Sequence, residues 1–141
     1  RMSKSRSSAE AGVYKRKTEY KASDLERGAL AFELYMVRSM PTADMPLMQK
    51  TLPAHLAYQA KMELDGKLVL AGPLSDPSGK DMFGEGLIIY RASSLKEATK
   101  FAQADPMHSA GARTFDVRCW LVNEGNLTLS VNLSLQNVSL S

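Results

Sequence analysis

The 141-residue sequence predicts one α+β domain, with two helices packed on one face of an antiparallel sheet. Two observations lead to this prediction. Segments in which apolar and polar residues alternate are interspersed, in a regular order, with segments whose apolar residues recur at helical spacing. The hydrophobic content of 44% and charged content of 23% are ordinary for globular domains, which excludes a fibrous or wholly disordered chain.

The first half of the domain is expected to fold as strand, helix and strand. Alternation predicts a strand over residues 30–37, which the proline-containing segment 41–46 ends. A helix is expected to begin at Thr51 and Pro53 and to stop at Gly66. Its buried stripe is predicted to consist of four apolar residues: Leu56, Ala57, Ala60 and Leu64. A short strand over residues 67–71 follows.

The second half repeats this order with strand, helix and strand. A strand is predicted over residues 87–90, and Ser94 with Glu97 forms a capping box that starts the second helix. Asp105-Pro106 ends this helix, and alternation predicts a further strand over residues 115–121. The order β-α-β-β-α-β is that of a ferredoxin-like domain. Its helices cover one sheet face, so we expect a homodimer or a partner protein on the other face, an arrangement of the dimeric α+β barrel type.

Both termini extend beyond this domain, which we place at residues 29–122. Residues 1–26 form a basic segment expected to be a flexible tail, since few large apolar residues occur in it. A role as an anchor to an acidic assembly or nucleic acid, or as a processed targeting remnant, stays open. Residues 123–141 form an extension with one extra strand, residues 127–135, expected to pair with a strand of the main sheet, either its own or that of the dimer mate.

Several classes of protein are excluded by what the sequence lacks. Cys119 is the single cysteine, which excludes an intrachain disulfide framework and a zinc site built on several thiolates, and the alternation places it on the apolar side of its strand as a core thiol. No segment resembles a membrane helix, a phosphate-binding glycine loop or a metal-ligand cluster, so we expect no metal and no cofactor. We expect no nucleic-acid partner for the domain, and a cytoplasmic location, or an organellar matrix if the N-terminus is a processed remnant.

The predicted topology brings chemically useful residues to one edge of the sheet. The start of the first helix, the end of the second strand and the end of the second helix all meet there, which gathers His55, Gly72-Pro73 and Asp105. A histidine beside a carboxylate is held in one tautomer, which suits proton transfer. Asp105 also has a purely structural explanation, because Asp before Pro commonly ends a helix. His108 is expected to be a solvent-facing loop residue, with a second acid or base as the alternative.

The same residues resemble a known family, the YCII-related domain family. The resemblance is carried by Pro53-Ala54-His55-Leu56, Gly66-Lys67-Leu68, Ala71-Gly72-Pro73-Leu74 and Asp105-Pro106, from about residue 30 to residue 121. It implies a ferredoxin-like fold that dimerises through its sheets, as in muconolactone isomerase-like proteins. It also implies an active-site pocket with a histidine and an aspartate, here His55 and Asp105, and adjacent ligand-binding residues that we assign to Gln59, Gly72, Pro73 and His108.

Two functions remain open from the sequence. The first is binding of a small organic ligand in the His55–Asp105 pocket, with isomerase or lyase chemistry in which His55 moves a proton and Asp105 orients it. The second is a non-catalytic accessory or structural subunit that docks in a larger complex through its tail and last strand.

Overall fold

The computed structural model describes residues 15–141 and contains two compact units, of which one is residues 33–120 and the other joins the two terminal segments. The helices and strands are α1 (Lys17–Glu26), β1 (Phe32–Pro41), α2 (Met45–Leu64), β2 (Leu68–Pro73), β3 (Gly86–Tyr90), α3 (Leu95–Ala104), α4 (Pro106–Ser109), β4 (Arg113–Val122), β5 (Leu129–Asn132) and β6 (Asn137–Leu140). Residues 1–14, which belong to the predicted tail, lie outside the described residues.

The larger unit contains a four-stranded sheet in the order β2-β3-β1-β4. Strand β3 runs antiparallel to both β1 and β2, with Val37 opposite Ile88 on one side and Ala71 opposite Ile88 on the other. The two inner strands are therefore the non-consecutive β1 and β3, as the β-α-β-β-α-β order requires. The predicted ferredoxin-like α+β fold is confirmed.

The core of this unit lies between the sheet and its helices. Val37, Ile88 and Tyr90 project from β1 and β3 and are at most 4% exposed, and they contact Met62 of α2 and Ala102 of α3. Partly buried aromatic and aliphatic side chains surround this cluster: Tyr58, Leu68, Phe101, Phe115 and Val117. The packing fixes α2 and α3 against one face of the sheet, so their facing residues are held in register with the ends of the strands.

Helix α2 begins earlier than the sequence predicted. Asp44 is its N-cap, and a side-chain oxygen accepts the Leu47 N–H at 3.0 Å. Pro46 therefore lies in the first turn, where the missing N–H costs nothing, and it does not separate the strand from a later helix. Pro53 lies inside the helix, so the predicted start at Thr51 and Pro53 is wrong.

The buried face of α2 also differs from the predicted stripe. Leu56 and Leu64 are 54% and 87% exposed, whereas Thr51 and Met62 are buried and His55 and Tyr58 are partly buried. Residues 51, 55, 58 and 62 follow one another at intervals of about one turn, so they share a face. A pattern search for apolar residues misses this face because most of its members are polar. His55 lies on this partly polar buried face.

The smaller unit holds α1 and the C-terminal segment, so part of the predicted tail is helical. Asp24 of α1 is 5% exposed and accepts a hydrogen bond from the Asn123 Nδ2 at 2.9 Å. The Asn123 Oδ1 accepts the Ala31 N–H at 2.8 Å, and Arg27 contacts the other Asp24 oxygen at 3.5 Å. One asparagine thus joins both terminal segments, which explains why residues 17–26 are ordered without an apolar stripe of their own.

The predicted fifth strand is a hairpin and not a member of the main sheet. Strand β5 pairs antiparallel with β6 in a separate two-stranded sheet, with Leu129 opposite Leu140 and Val131 opposite Val138. Residues 133–136 form the turn, so the strand over residues 127–135 does not extend as predicted. The polar and apolar residues still occupy opposite faces of this hairpin, because Ser130 lies opposite Ser139. Within residues 15–141, no helix has the length and apolar character needed to cross a membrane.

Candidate functional site

His55 and Asp105 form a hydrogen-bonded pair at one edge of the sheet. The His55 Nδ1 lies 2.8 Å from Oδ1 and 2.9 Å from Oδ2 of Asp105. The side chain of Asp105 is 0% exposed and that of His55 is 17% exposed. The proximity that the sequence predicted is confirmed, whereas a catalytic role for the pair stays a prediction.

The pair fixes the proton positions on the imidazole. A carboxylate can only accept, so the His55 Nδ1 must carry the proton that it donates to Asp105. In neutral histidine the Nε2 then holds a lone pair, and no other residue within 15–141 hydrogen-bonds to it. This nitrogen is available to take up a proton from a bound molecule.

Asp105 is held in place by the backbone on both sides. It ends α3 and is the N-cap of α4, where its Oδ1 accepts the Met107 N–H at 3.0 Å. Its own carbonyl oxygen accepts the N–H groups of His108 and Ser109, both at 2.9 Å. The two short helical ends therefore fix the carboxylate, so His55 is oriented by a rigid partner.

A cavity of about 520 Å³ lies next to the pair and is within the usual range of ~300–1,000 Å³ for small-molecule sites. Most of its wall is apolar and comes from α2, β2 and β3, including Met48, Leu56 and Leu87. The polar side chains at its wall are few: Ser39, Gln49, His55, Gln59, Glu85 and Arg113. A largely apolar wall with a few polar groups favours a small organic ligand that these groups orient.

Arg113, Ser39 and His108 form a second hydrogen-bonded chain beside this cavity. The His108 Nδ1–H donates to the Ala102 carbonyl oxygen at 2.7 Å, so its Nε2 accepts the Ser39 hydroxyl proton at 2.7 Å. The Ser39 Oγ in turn accepts the Arg113 Nε–H at 2.7 Å. Burial lowers the pKa of His108, and the positive charge of Arg113 acts in the same direction, although the Ala102 hydrogen bond and the negative charge of Asp105 oppose this effect. His108 is therefore neutral at neutral pH, as its place as acceptor in this chain requires.

The charge of Asp105 also acts on two tyrosines of the core. Burial raises the pKa of Tyr58, and Asp105 raises it further. Burial raises the pKa of Tyr90 far above its usual value, with smaller contributions from Tyr58 and Asp105. The Tyr58 hydroxyl donates to the Phe101 carbonyl oxygen at 2.7 Å, whereas the buried Tyr90 hydroxyl has no hydrogen-bond partner among the described residues. Both phenols stay protonated, so neither is the base of the site.

The structure brings most of the predicted site residues together. His55, Gln59, Gly72 and Pro73 all line the cavity, with Asp105 directly behind His55. His108 is not at the cavity wall, and it is not the solvent-facing loop residue that the sequence predicted, because it is partly buried in α4 and its ring packs on Phe115 at a centroid distance of 4.5 Å. Its link to the cavity runs through Ser39.

Sequence reasoning missed four polar residues of the cavity wall, namely Ser39, Gln49, Glu85 and Arg113. Ser39 lies beyond the predicted end of the first strand, which extends to Pro41. Arg113 begins β4, two residues before the predicted start. Alternation weakens at strand ends, so only the structure could place these residues at the site.

Cys119 is partly buried beside Glu33 (Sγ to Oε1, 3.7 Å) and does not line the cavity. Within residues 15–141, no three His, Cys, Asp or Glu side chains form a group that could hold a metal ion.

Comparisons with known proteins agree with this fold. No curated protein sequence matches the chain. A similar solved structure is that of 5-chloro-2-hydroxyhydroquinone dehydrochlorinase (TftG) from Burkholderia phenoliruptrix, in complex with 2,5-dihydroxybenzoquinone. The two chains are 25% identical, with a TM-score of 0.50, and the match covers 62% of this chain and 92% of that chain. The sequence model of the YCII-related domain matches residues 33–121, the segment that carries the sheet, the His55–Asp105 pair and the cavity. The chain belongs to the YCII-related domain family.

Proposed function

We propose that this protein is a proton-transfer enzyme of the lyase or isomerase type that acts on a small organic molecule in the cavity. One observation carries the proposal. The His55 Nε2 lacks a partner within residues 15–141 and belongs to a residue of the cavity wall, while its Nδ1 is fixed by a fully buried carboxylate. This arrangement is that of an oriented general base.

The proposed reaction starts with removal of a proton from carbon next to a carbonyl group. His55 takes the proton at Nε2, and the electron pair of the broken C–H bond forms an enolate. Asp105 stabilises the resulting imidazolium through the Nδ1–H bond. In elimination, the electron pair expels a leaving group such as chloride from the neighbouring carbon, and His55 then releases its proton to water. In isomerisation, the enolate takes the proton back from the His55 imidazolium at another carbon, so both reactions share the first step.

Other residues of the wall have supporting roles in this proposal. Gln59 lies one turn after His55 on α2 and offers an amide donor for the substrate carbonyl oxygen. Gly72 and Pro73 end β2 and form part of the cavity wall. The space beside Gly72 is open, because no heavy atom lies within 4 Å of the position that a Cβ would occupy there. His108 acts through Ser39 and not by touching the ligand. The structural relative was solved with a small cyclic quinone, which supports a ligand of similar size.

Exchange of a carbon-bound proton tests the proposal without knowledge of the natural substrate. The probe is 2,5-dihydroxybenzoquinone in deuterated water, with exchange of its ring hydrogens followed by NMR. This exchange passes through the keto tautomer, in which the ring carbon is a CH₂ group between two carbonyl groups, and removal of a proton from that carbon is the proposed step. The wild-type protein should accelerate the exchange, and His55→Gln should reduce the acceleration by about 10²-fold or more. Gln103→Ala, on an exposed position of α3, is the control and should leave the rate unchanged. Equal rates for wild type and His55→Gln would refute a base role for His55.

The accessory-subunit function has one observation in its favour, the C-terminal hairpin. Leu129, Val131 and Leu140 are each more than 60% exposed, which is typical of a surface that meets another protein. Docking alone would not require a fixed histidine tautomer beside a cavity. A protein that accelerates no exchange and loses no stability on His55→Gln would favour this second function.

A further inference from the structure

Arg113 presents a positive charge at the wall of the cavity without a carboxylate partner. Its Nε–H donates to the Ser39 hydroxyl at 2.7 Å, and its Nη2 donates to the Ser39 carbonyl oxygen at 2.8 Å and to the Gly84 carbonyl oxygen. All three acceptors are neutral. Among residues 15–141, no Asp or Glu oxygen lies within ion-pair distance of this guanidinium, and its Nη1 has no hydrogen-bond partner.

The two carboxylates of the cavity region, Glu85 and Asp105, do not supply the missing partner. Glu85 lines the same cavity, but its carboxylate is paired with Arg38 at 3.1 Å. Asp105 is occupied by His55 and by the Met107 N–H. Burial lowers the pKa of Arg113, and the distant charge of Asp105 only partly opposes this effect. The structure therefore keeps a partly buried cation that is held by neutral groups, which costs free energy unless an anion binds there.

The surroundings of Arg113 hold the guanidinium in one orientation and leave room beside it. Ser39 cannot turn freely, because its hydroxyl proton is donated to His108 while its oxygen accepts from Arg113. Gly86 lies next to the guanidinium, and a Cβ at that position would be 3.5 Å from Nη2, an ordinary van der Waals distance. Arg113 itself lines the cavity, and this open space is the room beside the guanidinium.

We infer that Arg113 binds a negatively charged oxygen of the substrate, so the substrate class is small organic acids whose anionic group is a carboxylate or an ionised enol or phenol. The part of this inference that concerns reaction rests on the proposed function. A guanidinium beside an enolic oxygen stabilises the charge that develops there when His55 removes a proton from the adjacent carbon. The same contact with Arg113 then favours binding of an anionic ligand and lowers the free-energy barrier to proton removal.

Binding of two matched quinones tests the inference. 2,5-Dihydroxybenzoquinone is a vinylogous acid and is anionic at neutral pH, whereas its dimethyl ether is neutral and has the same ring. Calorimetry should show that the wild-type protein binds the acid more tightly than the ether by about tenfold, the scale of one charge-assisted hydrogen bond. Arg113→Gln should remove this preference by weakening acid binding about tenfold while changing ether binding by less than about twofold. Arg113→Lys should retain part of the preference for the acid. This variant replaces Arg113→Gln in the binding test if the glutamine variant does not fold.

The outcomes separate this inference from the proposed function. His55→Gln should abolish proton exchange but keep the preference for the acid, because it leaves Arg113 in place. If the preference depends on Arg113 while His55→Gln has no effect on exchange, the inference stands and the proposed function fails. Equal weakening of both quinones in the Arg113 variants would show that Arg113 only supports the fold. That result, or a wild-type protein that binds neither quinone or does not prefer the acid, overturns the inference.

Discussion

Asp105 has two tasks that substitution can separate, namely capping α4 and fixing the tautomer of His55. Asp105→Ala removes the acceptor of the Met107 N–H, and loss of such a cap costs about 0.5–2 kcal/mol. It also leaves the His55 Nδ1–H without its acceptor, which costs about 1–2 kcal/mol at a site that is only partly open to water. We therefore expect Asp105→Ala to lower the free energy of unfolding by about 1.5–4 kcal/mol, the sum of the two effects.

Asp105→Asn has a different expected effect. Its side-chain carbonyl oxygen still accepts the Met107 N–H, so the loss of stability should be about 1 kcal/mol. Its amide group, however, donates to the His55 Nδ1 and favours the tautomer in which Nε2 carries the proton. The base of the proposed reaction is then blocked, and proton exchange should fall by about 10²–10⁴-fold.

Denaturant unfolding and imidazole nitrogen NMR measure the two effects independently of any substrate. The wild-type protein should show His55 protonated at Nδ1, and the asparagine variant should show it protonated at Nε2. His108 is the internal reference, because its Nδ1–H bond to the Ala102 carbonyl oxygen does not involve the Asp105 side chain. An unchanged His55 tautomer in Asp105→Asn, or full stability in Asp105→Ala, would refute this reasoning.

Three further predictions concern stability. The folded state lowers the pKa of His108, so below about pH 6.5 the unfolded chain takes up a proton first and the free energy of unfolding falls. In His108→Asn, the free energy of unfolding should therefore fall less steeply with acidification than in the wild type. A steeper loss would contradict the buried neutral state. Tyr90→Phe removes a buried hydroxyl without a partner within residues 15–141 and should raise the free energy of unfolding by about 1 kcal/mol, whereas Tyr58→Phe loses a hydrogen bond and should lower it by about 1 kcal/mol. Denaturant midpoints that shift the same way for both would disprove this. Leu129→Lys should change stability by less than about 0.5 kcal/mol, because Leu129 is 66% exposed; a larger loss on thermal unfolding would show that its apolar face is covered.

The sequence predicted the fold of the larger unit because its core follows simple periods. Alternation in β1 and β3 and the capping box at Ser94 are local signals, and the Ser94 Oγ indeed accepts the Glu97 N–H at 3.1 Å. The meeting of His55 and Asp105 was predicted from the order of strands and helices, with His55 placed at the start of the first helix. Helix α2 begins at Met45, so His55 lies in its middle, and Asp105 at the end of α3 still hydrogen-bonds to it.

The remaining features depended on information that a local pattern does not hold. The buried face of α2 is built on polar residues, and Thr51 on that face is satisfied by donating to the Leu47 carbonyl oxygen at 2.7 Å. The hairpin of β5 and β6 arises because residues 133–136 turn, although Leu133 and Leu135 continue the alternation. Arg113 acquires its role from neighbours that are far apart in sequence, such as Ser39. Dimerisation through the sheet stays a prediction.

Pro53 divides α2, the helix that carries His55, into two mechanically different halves. It has no N–H to donate to the carbonyl oxygen four residues earlier, at Gln49, so one rung of the helical hydrogen-bond ladder is missing just before His55. Such a position is where a helix bends most easily. The turns before it carry Met45, Met48 and Leu52 to the cavity wall, and methionine side chains adapt readily to different shapes. We therefore expect the mouth of the cavity to widen or narrow around ring substituents of different size. His55 lies on the other side of the proline and is held by Asp105, so its orientation should not change.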